Sequence, residues 1–132
     1  MRFFFRKNEK LISEKEIDQL FLKGRSSFLY PIKSNFFIKE NGEQGCKVLV
    51  TVSKKNLKNA SDRNLVKRRL REIYRLNSQQ IKAIIEEKNL SVSIAFIYSS
   101  SKIISYDKIE KLVIKHISNL IEKLEKHEKP VQ

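Results

Sequence analysis

Cysteine is almost missing from this chain of 132 residues: Cys46 stands alone, so no internal disulfide can form and a reducing cytosol suits it. Glycine is scarce too, and three residues of it supply no glycine-rich loop to cradle a nucleotide phosphate. Two distant histidines, His116 and His127, with one cysteine make no metal-ligating set. The longest stretch without a charge, Asn89 to Ser101, is thirteen residues and too short to span a bilayer. Acids are few, 15 against 28 Lys+Arg. The acid pairs Glu86-Glu87 and Glu40/Glu43 fall at element ends, so no protein-borne nuclease centre is expected and no catalytic residue is assigned. The opening "MRFFFRKNEK" starts like a signal peptide, but charge follows after only three apolar residues. It reads as a basic arm with interleaved aromatics over 1–12.

What is present is positive charge, +13 net, on a chain that is 40% hydrophobic. That composition fits one globular domain over 1–132, with a polar tail at 127–132. The excess charge points to a polyanionic partner, nucleic acid or an anionic membrane surface. It is also focused. From Lys54 to Arg75 there are nine basic residues and two acids, +7 in 22 residues, leaving +6 for the other 110.

Ser13-Glu14-Lys15-Glu16 has the capping-box pattern, with Ile17, Leu20 and Phe21 at helical spacing behind it. Gly24 can close that helix in a left-handed cap. "FLYPIKSNFFIK" (28–39) reads as a strand, Pro31 marking an edge position or a bulge. "ENGEQG" (40–45) reads as a hairpin turn, and "CKVLVTV" (46–52) and "LSVSIAFIY" (90–98) as strands. A helical stretch from about Asp62 to Glu87, with a candidate break at Asn77-Ser78, lies between the last two. The final helix opens at Ser105 and runs to about Lys126, carrying a stripe of Ile109, Leu112, Val113, His116, Ile117, Leu120, Ile121 and Leu124.

On a helical projection Arg63, Lys67, Arg71, Asn64, Arg75 and Arg68 share an arc of about 140°. Leu65, Leu76, Ile73, Val66 and Leu70 take the opposite arc, where Arg69 must snorkel to the edge. Asp62, just ahead of the helix, can cap its amides. A solvated face would mix acids among its cations. Here Arg63/Lys67, Lys67/Arg71 and Arg71/Arg75 repel by a few tenths of a kcal/mol each, a cost that a polyanion relieves. Arginine dominates the face, and its forked donors suit phosphate.

"SKK", a short loop, "NA", then "DRNLVKRRLREIYR" resembles the protein subunit of bacterial ribonuclease P. The family pattern Arg-Asn-x-x-Lys-Arg-x-x-Arg is met by Arg63, Asn64, Lys67, Arg68 and Arg71, with strand, helix and strand in the expected order over nearly the whole chain. Leu65 stands where the family often has another arginine, and "NLKNA" lacks a common glycine. The resemblance implies an α+β two-layer sandwich, a small mixed sheet packed by helices, with a βαβ crossover of unusual left hand. It implies that a partner RNA is the catalyst, cutting the 5′ leader from precursor tRNA with magnesium held mainly by that RNA. The protein's part is to sit on the RNA through the basic helix (Arg63, Asn64, Lys67, Arg68, Arg71, Arg75) and the loop lysines Lys54, Lys55 and Lys58. The resemblance also implies a cleft between the sheet and first helix that holds the single-stranded leader.

The residues themselves allow such a cleft. Lys33, Asn35, Phe37 and Lys39 alternate with apolar Phe28, Tyr30, Ile32, Phe36 and Ile38, and a face mixing aromatic, amide and lysine can stack a base and hold a phosphate. Thr51, Ser93 and Ala95 would leave its middle open. The same pattern also describes an ordinary solvated sheet face, and by pattern alone Phe21 belongs to the core; the resemblance implies instead that Phe21 joins Lys33, Asn35 and Phe37 in lining the leader cleft. A ribosomal or other structured-RNA binding protein is the second reading. A DNA-binding helix fits less well, since strands rather than a helix-turn-helix partner flank the basic helix. A membrane-surface role would need the apolar side of that helix, which the core requires. No obligate protein partner is implied.

Overall fold

The computed structural model describes residues 14–39 and 42–127. The basic arm, Ser13 of the capping box, Glu40-Asn41 of the turn and residues 128–132 of the tail lie outside the described residues. The elements are α1 (Glu14–Lys23), β1 (Arg25–Leu29), β2 (Ile32–Lys39), β3 (Gly45–Val52), α2 (Ala60–Leu76), α3 (Gln79–Lys88), β4 (Ser91–Tyr98) and α4 (Tyr106–Lys126). They form an α+β fold around one mixed four-stranded sheet of order β1-β2-β4-β3. β4 is antiparallel to β2 and parallel to β3, and α2 with α3 makes the crossover between the parallel pair.

Several local expectations change. β2 and β3 are not hairpin partners, because β4 lies between them. The place between β2 and β3 belongs to β4 for a physical reason: Val92, Ile94, Ala95, Phe96 and Tyr98 are all buried, so it needs strands on both sides and helices above it. The segment 28–39 is not one strand. The chain reverses at Tyr30-Pro31, a cis peptide, and β1 pairs antiparallel with β2. Proline thus sits in the turn, where it forfeits no ladder bond. The reversal breaks the alternation expected across it, and Phe28 and Tyr30, read as apolar-face residues, are 58% and 68% exposed.

Gly24 is not a left-handed cap; the one glycine with positive φ among the described residues is Gly45. Close approach explains Gly24 instead. A Cβ there would lie 2.2 Å from the Leu20 carbonyl oxygen and 2.7 Å from that of Phe36, so only glycine lets α1 end against β2. Asp62 is not ahead of α2 but in its first turn, because the helix starts at Ala60 after Asn59. Its carboxylate still lies at the positive end of the dipole and accepts a bond from the Asn59 amide at 3.4 Å. The break near Asn77-Ser78 is real. Asn77 Nδ2 donates to the Ile73 carbonyl at 2.8 Å and Ser78 Oγ to that of Arg75 at 3.1 Å, side chains taking over carbonyls that a continuous helix would have used.

Even-numbered residues of β2, β3 and β4 meet α2, α3 and α4. Ile32, Phe36, Val48, Val50, Ile94 and Phe96 form that core with Val66, Leu70, Ile73 and Tyr74 of α2 and the α4 stripe. Ser105 caps α4 as its sequence suggested, accepting from the Lys108 amide at 3.3 Å. Lys88 Nζ donates to the carbonyls of Leu124, Glu125 and His127 at 3.0, 2.6 and 3.0 Å, a charge placed where the α4 dipole is negative. α1 packs instead on the odd-numbered face of β2 and β4 and is tied to β3 by Lys47 Nζ–Glu16 Oε1 at 2.7 Å. Glu16, which the capping pattern aimed at its own helix, therefore anchors α1 across the sheet.

Candidate nucleic-acid interface

α2 buries Val66, Leu70, Ile73 and Tyr74 and turns its other side to solvent. Asn64, Arg68 and Arg71 are exposed, while Arg63, Lys67 and Arg75 are half-buried along the edges. The projection placed Leu76 with the core, yet it is 51% exposed. Tyr74 takes that role, packed against Phe96 with ring centroids 5.8 Å apart and its hydroxyl 3.2 Å from Cys46 Sγ. The apolar centre is rotated toward the Leu70–Tyr74 side, and Tyr74, which neither arc of the projection included, was the signal that could have shown it. Arg69 is half-buried, consistent with its snorkelling position.

The ion pairs Lys47–Glu16 and Lys126–Glu122 lie away from α2. Lys67, Arg68 and Arg71 make no ion pair among the described residues. Arg63 differs. Its Nη1 donates to the carbonyls of Leu57 and Lys58 at 2.7 and 2.8 Å, clamping the loop between β3 and α2. Leu57, 5% exposed, pins the loop from beneath, and Leu57 N donates to the Ser53 carbonyl at 3.0 Å. So the loop that lacks the family's usual glycine is shaped by Leu57 and Arg63. Lys54, Lys55 and Lys58 stand exposed on it.

Lys33, Asn35 and Phe37 do share the second face of the sheet, opposite Ile97, Ala95 and Ser93 of β4. Its middle is not open as expected, because Ala95 is fully buried and Asn35 is 3% exposed, beneath the face that α1 covers with the buried Leu20. Asn35 Oδ1 has no hydrogen-bond partner among the described residues. Lys33 and Phe37 are half-buried and reachable, and Phe21 on α1 is 42% exposed rather than core. α2 and this face lie on opposite sides of the sheet, and the loop with Lys54, Lys55 and Lys58 joins them around the β3 edge.

His116 is buried, and its Nε2 donates to the Ile32 carbonyl at 2.9 Å. Burial pushes its pKa below the ordinary value, a trend that the bond to Ile32 opposes. It is a packed histidine. Among the described residues no group of three or more His, Cys, Asp and Glu could hold a metal ion, and no helix is long and apolar enough to cross a membrane.

The family model for ribonuclease P matches residues 5–124. The chain belongs to the ribonuclease P protein family. The ribonuclease P protein component of Porphyromonas gingivalis ATCC 33277 is 30% identical over 116 residues, spanning 87% of this chain and 85% of that protein, and the W83 strain's counterpart matches equally. The fold resembles the Staphylococcus aureus RNase P protein, TM-score 0.68 at 20% identity over 86% of this chain and 95% of that one. A mutant of that protein with defective mRNA degradation activity gives 0.70 at 20% identity over 88% and 90%. As a member of the ribonuclease P protein family, this chain is an RNA-binding component of the ribonucleoprotein enzyme that matures tRNA 5′ ends.

Proposed function

We propose that α2, through Asn64, Lys67, Arg68, Arg71 and Arg75, seats this protein on the catalytic RNA of ribonuclease P, with Arg63 shaping the adjoining loop and Lys54, Lys55 and Lys58 extending the contact. The observation that carries this reading is a cationic helix face on which Lys67, Arg68 and Arg71 make no ion pair among the described residues, backed by a helix side committed to the core. Phosphate contacts of this kind position a protein without reading sequence. The second sheet face is the leader site. Phe21 and Phe37 offer surfaces on which bases can stack and Lys33 a charge for the backbone, with Asn35 buried beneath them as the floor.

Ribonuclease P catalysis depends on metal, and in this reading magnesium is held mainly by the partner RNA. The protein's contribution is to bind and orient precursor tRNA, in the cytoplasm, as a single RNA-binding domain. Paired dissociation constants for precursor and mature tRNA, measured on the reconstituted enzyme, test the leader site. Phe37→Ala or Phe21→Ala should weaken precursor binding by about 1–3 kcal/mol and leave mature tRNA and RNA assembly unchanged. Equal losses for both ligands, or none for either, would remove these residues from the leader path.

A further inference from the structure

The β1–β2 hairpin carries two large aromatic side chains that the fold does not use. Phe28 and Tyr30 are 58% and 68% exposed, their ring centroids 6.3 Å apart and their planes at 64°. They form a corner, one ring offering a face and the other an edge. Phe28 pairs across the strands with Lys33, so it projects on the second face of the sheet.

Its row continues from Lys33 to Ile97 of β4 and Thr51 of β3. At about 4.8 Å per strand the row spans roughly 14 Å. Both ends are fixed to the end of β4. Ser99 N donates to the Pro31 carbonyl at 2.9 Å, and Ser53 N to the Tyr98 carbonyl at 3.3 Å. The exposed Lys54 and Lys55 follow Ser53 directly, so an aromatic corner and a pair of lysines flank one strand end, with Lys33 between them. Each charged group along this row is a cation. An apolar corner beside acid-free positive charge matches a single-stranded polyanion carrying flat bases, not an apolar protein face.

We propose that Phe28 and Tyr30 form a base-stacking site for an unpaired nucleotide of the precursor tRNA leader, one that has passed beyond Phe21 and Phe37. The site lies at the hairpin, past the edge of the region that α1 covers. Lys33 serves both positions, holding the phosphate between the two stacked bases. The inference rests on the leader reading above and adds to it a further contact toward the leader's 5′ end.

The test uses the reconstituted enzyme and precursor tRNAs whose leaders grow one nucleotide at a time. With the wild-type protein, affinity should rise with leader length to a plateau. In Phe28→Ala/Tyr30→Ala the longest leaders should bind about five-fold or more weakly, and the plateau should arrive at a shorter leader. Mature tRNA should bind as before, and Phe28→Tyr should retain the wild-type profile. Both side chains are exposed, so the melting temperature should not move. A wild-type length profile in the double variant would overturn the proposal while leaving the leader reading intact. Absence of any leader dependence in the wild type would overturn that reading itself. A change in the protein's own oligomeric state, with the length profile unaltered, would assign the aromatic corner to a second copy of the chain and also refute the proposal.

Discussion

Replacing Arg63 by alanine should separate two jobs that the sequence pattern merges. Arg63 belongs to the cationic arc, but one of its nitrogens holds the carbonyls of Leu57 and Lys58 at 2.7 and 2.8 Å. Hydrogen bonds from a charged donor are worth about 1.5–3 kcal/mol each when well shielded. One of these is part-buried and the other exposed, so water can replace much of what is lost, and about 1–2 kcal/mol for the pair is a fair discount. For a domain of this size that corresponds to a fall in melting temperature of about 3–8 °C. Arg68→Ala is the control. Arg68 is exposed, without an ion-pair partner among the described residues, so its removal should leave the melting temperature within about 2 °C. Both variants should lose affinity for the partner RNA. Thermal unfolding of the isolated protein, followed by circular dichroism, reads the difference. Equal melting temperatures for Arg63→Ala and wild type would refute the clamp, and an equal drop for Arg68→Ala would refute the division of roles.

If the α2 face covers about five phosphates, log affinity for RNA should fall against log salt with a slope of roughly −3.5 to −4.5, and Arg68→Ala should remove close to one unit. A slope near zero in a salt titration would reduce the face to solubilising charge. Gly24→Ala should cost about 1–3 kcal/mol in denaturant unfolding, because its methyl would lie 2.2 Å from the Leu20 carbonyl oxygen and backbone must move. His116 has a folded-state pKa lowered by burial, so the unfolded chain binds the proton more readily. Stability should therefore be full above the ordinary histidine value near 6.5, and fall as pH drops through it toward the lowered folded value. Denaturant titrations at several pH values would show this, and His116→Leu should flatten the profile over that window.

Apart from β1, the order of helices and strands was legible because α4, β3 and β4 carry clean periodicities, 3.6 residues for the α4 stripe and two for Val48, Val50 and Val52. The basic face was legible for the same reason. Strand neighbours were not. A turn-like "ENGEQG" suggested a hairpin, but pairing is decided by which strand must be buried on both faces, and Ala95 in β4 marks that strand only once its burial is known. The reversal at Tyr30-Pro31 hid in a run of aromatic and β-branched residues whose alternation continued through the turn by coincidence. Composition could not show that Arg63 is spent partly on the loop, or that Glu16 crosses the sheet to Lys47, because both depend on where separate elements meet. On the second sheet face the alternation put Lys33, Asn35 and Phe37 together, while only the packing of α1 decides which of them a ligand could reach.

The central claim is that this chain supports an RNA catalyst through charge and a leader-binding face. Its most direct test is reconstitution with the ribonuclease P RNA from the same cell, assaying 5′-leader cleavage of precursor tRNA at low magnesium. The protein alone should cleave nothing, the RNA alone should be slow, and the two together should release the leader efficiently. Trimming by purified, RNA-free protein would move catalysis into the polypeptide, and a mixture no faster than RNA alone would contradict the assignment of its RNA-binding surfaces.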